Sequence, residues 1–573
     1  MTAPRRTKIA ADVAAALTGA IPSRLIKKLD ADPVMAERWT WTAATITTDK
    51  GEVVRFVVLD EVITEVTCSC LLAPRCLHVA AVVVLLEPAD APAVRETTGE
   101  VAEVAAIAVG PDLDAVAAAQ RAFRAVADVL AGGAEVAGAF AQAELLRAIH
   151  ACRTAGLHRL AATQTRALRS IRELRADSTN FALEVLTADL RDALAVAHAL
   201  GAGEVAPELV GSARRDYAPI GNLRLRGVFS EAVVARSGYA GAITYLVDDK
   251  GKLYTRADVA PGDAGRAAGA YDAAAGIGDA VLPHRELCRT GLFVSDATAS
   301  SDGRLGAGQK VRAVRASEPT RWDAEQLLGR FRISIADQLA RIAAHDAVPD
   351  ELRPAGWDLA CLEGTIVGGS GGVGMIAQDD VPVRFTTAHE QRVLAVRDNL
   401  AVLARASGLR VLAIGRVRIG TPRQVELLAI GPAPDETRFL MPDAWHGRAN
   451  VHYDRLSILS LGDAPPMNAA PAPPTDDLLS PLRRRVERAV LGGAGTLPTH
   501  AIGELEREAA HLADRLLRGG AEALRDLAAL AHDAGRSATG VRRALDRNTF
   551  ARAWLRAALY EDAARRRLSV ASW

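Results

Sequence analysis

At 573 residues, with 69 Lys plus Arg against 69 Asp plus Glu, the chain is too long for one domain and carries no formal net charge. That balance excludes the global basic field of a non-specific nucleic-acid binder, while leaving room for a local patch. The hydrophobic share, 49%, is ample for real cores; much of it is alanine and valine with few aromatics, which favours helical bundles.

The opening stretch, MTAPRRTKIAADVAAALTGAIPSRLIKKL, is basic but lacks the apolar core of a signal peptide. Residues 9–30 read as one or two short helices, broken at Pro22 and restarted at Ser23. WTWTAATITTD, GEVVRFVVLD and VITEVTCSC follow, rich in Val, Ile and Thr, with a turn at Asp49-Lys50-Gly51. They predict a three-stranded meander whose last strand delivers Cys68 and Cys70.

Cys68, Cys70, Cys76 and His78 fall within eleven positions, as two pairs with one intervening residue each and LLAPR between the pairs. Residues two apart on a strand share a face, so Cys68 and Cys70 can aim at one point. Cys76 and His78 are expected to do the same on the returning chain. Three thiolates and one imidazole are a structural donor set for tetrahedral Zn2+, with every position filled and none left open for catalysis. A zinc deaminase needs His-x-Glu with Pro-Cys-x-x-Cys, and an iron–sulfur cluster usually wants four cysteines. A redox pair at Cys68 and Cys70 gives Cys76 and His78 no role. Arg75 and nearby amides are candidate partners for the sulfurs.

Cys-x-Cys, a spacer, then Cys-x-His running into the apolar VAAVVVLL resembles the SWIM zinc finger, over about residues 40 to 90. The resemblance implies a ββα arrangement with Cys68, Cys70, Cys76 and His78 as zinc ligands. The five-residue spacer is at or just below the short end for that family, and Leu77 stands where lysine is common, which weakens the case for nucleic-acid contact. The longer chain is similar to bacterial proteins with an N-terminal SWIM finger. Their genes often lie beside those of MoxR-type AAA+ ATPases and von Willebrand A domain proteins, which implies a protein partner of that kind. VAAVVVLL is far too short to span a membrane, and Cys152, Cys288 and Cys361 form no disulfide framework. The expected compartment is therefore the reducing cytoplasm.

After a linker at 87–103, residues 104–213 carry helical periodicity punctuated by glycine. Strand texture returns at NLRLRGVFSEAVVA and YAGAITYLVDDKGKLYTRADV, with a turn at Asp249-Lys250-Gly251. A single helix is expected over Asp323–Asp346. Strands resume over 357–432, with one helix-like segment near AHEQRVLAVRDNLAVLARA, a pattern that suits a small barrel similar to an oligonucleotide-binding fold. The proline-rich 463–477 is a linker, and arginine-rich helix follows to Trp573.

Weaker motifs fail on context. GSGGVG (Gly369–Gly374) is followed by turn and strand rather than the helix a dinucleotide fingerprint needs, and Met375 replaces a phosphate-loop lysine. WHGRANVHYD gathers His446, His452 and Asp454, which reads as loop hydrogen bonding ahead of metal binding or proton transfer. HEQ at His389 lacks a second metalloprotease histidine. RLIKK, RRRVER and ARRRL read as solvated helical faces, with a phosphate-contacting surface as the minority alternative.

The expectation is an α+β multidomain protein. It comprises a ββα zinc finger within residues 1–90, a helical bundle at 104–213, a strand-rich, barrel-like middle at 215–462 and a C-terminal helical domain at 478–573. The expected function is a non-enzymatic zinc-binding adaptor, with nucleic-acid binding through the finger and arginine patches as the alternative.

Overall fold

The computed structural model describes residues 8–9, 17, 32, 35–42, 45–59, 62–70, 73, 76–83, 85–88, 112–212, 216–306, 308, 310–346, 348–368, 373–461, 477–496, 502–533 and 545–573. The helices expected within 9–30, RLIKK, Arg75, most of both linkers and Gly369–Gly372 lie outside the described residues. The chain divides into two compact units, Met1–Ile107 and Ala108–Trp573.

The first unit contains strands β1 (Lys8–Ile9), β2 (Thr40–Trp41), β3 (Thr45–Thr47), β4 (Val53–Leu59), β5 (Val62–Cys68) and β6 (Glu87–Pro88), with helix α1 (Leu77–Val83). The sheet order is β2-β3-β4-β5-β1-β6. β2 to β5 form the expected antiparallel meander, its first segment split in two, and β1 adds in parallel to β5 and β6. Ile63 and Val66 of β5 lie on either side of a register shift against β4, and both are buried with Val79–Val83 of α1, a run that is apolar throughout.

The second unit begins with helices α2 (Leu113–Gly132), α3 (Ala139–Thr154), α4 (His158–Arg175) and α5 (Leu183–Gly201). Next come β7 (Ala218–Ala235), β8 (Tyr239–Asp248), β9 (Leu253–Pro261), β10 (Ala274–Ile277), β11 (Ala280–Pro283), β12 (Thr290–Ala299) and β13 (Arg312–Pro319), then helices α6 (Glu325–Phe331) and α7 (Ile335–Asp346). β14 (Leu359–Val367), β15 (Val373–Ala377) and β16 (Pro382–Thr386) precede α8 (Val396–Leu403), followed by β17 (Arg410–Val417), β18 (Gln424–Pro432) and β19 (Ala449–Asn450). Helices α9 (Ser480–Gly492), α10 (Ile502–Asp514), α11 (Arg518–Asp533) and α12 (Arg547–Ala571) close the chain.

The two helical stretches, separated in the sequence by the strand-rich region, share a single core. Trp554 of α12 is fully buried and donates to the Val486 carbonyl at 3.0 Å. Gly133 and Gly493, both at positive φ, let two helix ends meet: a Cβ on Gly133 would sit 2.5 Å from the Leu491 oxygen. The single helix expected over 323–346 is two. Ser334 caps the second, its hydroxyl accepting from the Asp337 amide, a local bond that competes with helix continuity.

Two sheets stand beside this bundle. One, ordered β13-β12-β7-β8-β9, is antiparallel throughout. The other is ordered β16-β15-β14-β17-β18-β19, and β16 also pairs in parallel with β18, so the pairings of β14 to β18 close into a circuit with α8 between β16 and β17. A small core including Phe229, Trp322, Phe331, Leu359 and Ile414 joins the sheets.

β7 explains the WHGRANVHYD stretch. β12 pairs with β7 only as far as Arg226, which leaves the edge of β7 beyond it without a strand. Side chains replace the missing partner. Asn450 Oδ1 accepts from Ser230 N at 2.8 Å, His452 Nδ1 accepts from Ala232 N at 3.0 Å, and Trp322 Nε1 donates to the Val228 carbonyl at 2.9 Å. His389 Nε2 donates to the Ala232 carbonyl at 3.2 Å. Arg448 and Asn450 are two residues apart along β19 and share a face, and the turn that follows Asn450 brings His452 to the same seam. Arg448 is fully buried and donates to the carbonyls of Thr320 and Cys288, each at 2.6 Å.

Burial holds His452 neutral, its pKa lowered to about 3, and His284, bonded through Nδ1 to Thr244 Oγ1 at 2.7 Å, is lowered to about 4. In the unfolded chain both protonate near pH 6.5. The unfolded state therefore binds more protons below that pH. Stability is complete above about 6.5 and declines as pH falls toward the two folded pKa values. Urea unfolding should show a loss of about 2 kcal/mol per histidine between pH 7 and pH 5. A flat stability profile over that interval would mean that both rings reach solvent.

Candidate metal centre

β5 ends at Cys68, opposite Val54, and the chain leaves the sheet through Ser69, whose amide donates to the Val53 carbonyl at 2.9 Å. Cys70 follows one residue later. The chain returns at Cys76, immediately before α1, and His78 is the second residue of that helix. The second pair is thus brought in by a helix start, where a returning strand was expected. Continuous apolar side chains from Val79 to Val83 bury α1 against the sheet, and this pulls its first turn onto the end of β5.

The ligand atoms of Cys68, Cys70, Cys76 and His78 all lie within 4.8 Å of one another. Cys76 is buried and the other three are half-buried. Cys68 Sγ stands 3.8 Å from His78 Nδ1, and the Val79 amide donates to Cys76 Sγ at 3.4 Å. The His78 ring meets Trp39 edge-on, with centroids 5.8 Å apart. Burial first, then crowding by the neighbouring sulfurs, pushes the Cys68 thiol up to about 12 and raises Cys76 as well. Such a cluster resists ionising on its own, and a divalent cation reverses that balance by pairing with the thiolates. Three sulfurs and an imidazole at this separation fit Zn2+, and the hydrogen bond from the Val79 amide would steady the Cys76 sulfur. Bound zinc would supply a structural crosslink and, with all four positions occupied by protein, no open coordination site.

A second group of metal-type side chains, missed as a group by the sequence reading, is His389, Glu426 and His452, all buried. Sequence singled out the two histidines separately, and no spacing links them to Glu426. The arrangement does not suit a cation. Because His452 Nδ1 accepts from Ala232, the neutral ring keeps its proton on Nε2, which leaves neither nitrogen a free lone pair for a cation. Glu426 already faces Arg418 at 3.2 Å and Arg416 at 3.9 Å. These histidines seal a strand edge.

The trio His446, His452 and Asp454 does not converge. His446 sits in a left-handed turn, whereas Asp454 binds Arg289 at 2.6 Å and accepts from Tyr271 Oη at 3.1 Å. The basic runs near the C-terminus are largely engaged. Arg483 pairs with Asp477 and Glu561, Arg485 with Glu504 and Glu508, and Arg566 with Asp346 and Asp562. Val373 and Gly374, at the end of GSGGVG, enter β15, which forms a hairpin with β14. No protein family, curated protein or solved structure matches the chain.

Proposed function

We propose that the first unit is a SWIM-type zinc module with Cys68, Cys70, Cys76 and His78 as ligands, and that the protein is a non-enzymatic adaptor. The observation carrying this reading is the convergence of four zinc-type donors where a ββα unit turns from strand to helix. Partner proteins dock on the zinc-braced unit or the helical bundle. A MoxR-type AAA+ ATPase or a von Willebrand A domain protein is the partner that the family resemblance implies. Among the described residues, no helix is long and apolar enough to cross a membrane, and a reduced thiol cluster suits the cytoplasm. The non-enzymatic reading is supported by the buried histidines, whose hydrogen bonds go to backbone and to Thr244.

A second reading, nucleic-acid binding, draws support from the strand circuit. The order of β14 to β18, with a parallel β16–β18 pairing and α8 between the third and fourth strands, is the order that a small barrel of the oligonucleotide-binding type would need. Two observations weigh against it. The loop between β17 and β18, which helps form the binding face in such barrels, is held by the end of α12. Arg565 donates to the Ile419 carbonyl at 2.9 Å, and the Gly420 amide donates to Ser569 Oγ at 3.0 Å. The C-terminal arginines also face carboxylates. Fluorescence anisotropy of zinc-loaded protein with short single- and double-stranded DNA across a salt series separates the readings. The adaptor reading expects binding no tighter than about micromolar, screened by moderate salt and indifferent to Cys70→Ser. Much tighter binding that Cys70→Ser abolishes would reverse the order.

A further inference from the structure

A cavity of about 490 Å³ opens between the two sheets and α7. Its interior is apolar, walled by Val228 and Phe229 of β7, Leu253 of β9, Leu359 of β14 and Ile414 of β17. The mouth is cationic: Lys252, Arg330 and Arg341 line it, and the acidic residue there, Asp337, is exposed and already accepts from Ser334 at 2.8 Å. This volume is in the range of small-molecule sites.

Several buried or half-buried arginines of this chain face carboxylates. Arg416 pairs with Glu231 and Asp358, and Arg438 with Glu436. Among the described residues, neither Arg330 nor Arg341 has a carboxylate within ion-pair distance. Arg330 donates to the Gly251 carbonyl at 2.8 Å, while its Nε is buried without an acceptor. Arg341 donates to the carbonyls of Trp357 at 2.8 Å and Leu359 at 2.5 Å. Burial, and then the positive charge of Arg330, makes Arg341 hold its proton less tightly than a free guanidinium. Two guanidiniums repelling at the mouth of an apolar cavity, one with an unused donor, lack an anion. The planar fork of arginine matches carboxylate and phosphate oxygens alike.

We propose that this cavity binds an amphipathic anion, its apolar chain among Phe229, Leu253 and Ile414 and its carboxylate or phosphate head at Arg330, Arg341 and Lys252.

Calorimetry on the full chain with decanoate, decyl phosphate, decanol and inorganic phosphate tests each half of the idea. At least one of the two amphipathic anions should bind with a Kd on the order of 0.1 mM or tighter, at least tenfold tighter than decanol and than phosphate. Whichever binds more tightly identifies the head group. Lys252→Glu, on an exposed turn, and Arg330→Gln should each weaken that anion about tenfold and leave the thermal midpoint of the ligand-free protein near its original value. Cys361 also lines the cavity and is half-buried, so alkylation of this one thiol, mapped by mass spectrometry, should slow when the anion is present. Decanol binding as tightly as both anions, phosphate alone binding as tightly, or no binding of either amphipathic anion at 1 mM would each overturn the proposal.

Discussion

Chelating zinc from the protein should open the first unit and leave the second folded. A structural zinc site contributes on the order of 10 kcal/mol to a small domain at neutral pH. The first unit is small, and its core depends on α1 staying against β5, with Cys76 itself part of that core. Without the ion, three crowded thiols and an imidazole have no reason to stay together. Limited proteolysis should then cut within residues 1–107, while circular dichroism retains the helical signal of the larger unit, whose cores share no residue with the first. Cys76→Ser should have the same effect and lower bound zinc from about one per chain to nearly none by elemental analysis. Unchanged proteolysis in both cases would remove the structural-zinc reading and the adaptor proposal that rests on it.

Asp454→Ala is expected to be the most damaging single substitution in the second unit. Among the described residues, Asp454 is the sole carboxylate paired with Arg289, and both side chains are less than a tenth exposed. The same carboxylate accepts from Tyr271 Oη and, at 2.7 Å, from the Asn450 amide. Asn450 in turn caps Ser230 on the edge of β7. Truncation leaves a buried guanidinium without its counter-charge and strips an acceptor from the seam. The cost should be about 3–5 kcal/mol, read as a lower urea midpoint. Asp454→Asn, which keeps the shape and one acceptor, should cost less. A loss under about 1 kcal/mol for Asp454→Ala would mean that water enters the seam and solvates Arg289.

The same contrast runs through the rest of the molecule. Strands β7 to β9 and the turn at Gly251 were readable because alternation and Asp-Lys-Gly are local signals. β12 and β13 were not recognised, although TGLFVSDATA and RAVRASEP form them. β13 is an edge strand in which Ala313 is the one buried residue, so it carries no alternation to read. The break between α6 and α7 is held by the Ser334 cap and by the side chains of Gln378 and Asp379, which bond to Phe331, Ile333 and Ile335, partners that helical periodicity cannot reveal. WHGRANVHYD looked like an irregular loop because its regularity lies in what it touches, the open edge of β7.

For this protein the sequence alone determined which three cysteines and which histidine come together. Two Cys/His pairs with one-residue gaps, joined by a loop of fixed length, can meet only nearby, and short loops leave few alternatives. It also determined the succession of helical and strand-rich segments, since periodicity is a property of neighbouring residues. Tertiary structure decided the rest: that distant helical segments share one core, that His389 and His452 seal a strand edge, and that Arg330 and Arg341 meet at a cavity with no carboxylate paired to either among the described residues. Those outcomes depend on which remote surfaces meet. The energy of a buried charge or an orphaned donor is set by that meeting rather than by the residue's neighbours in the chain.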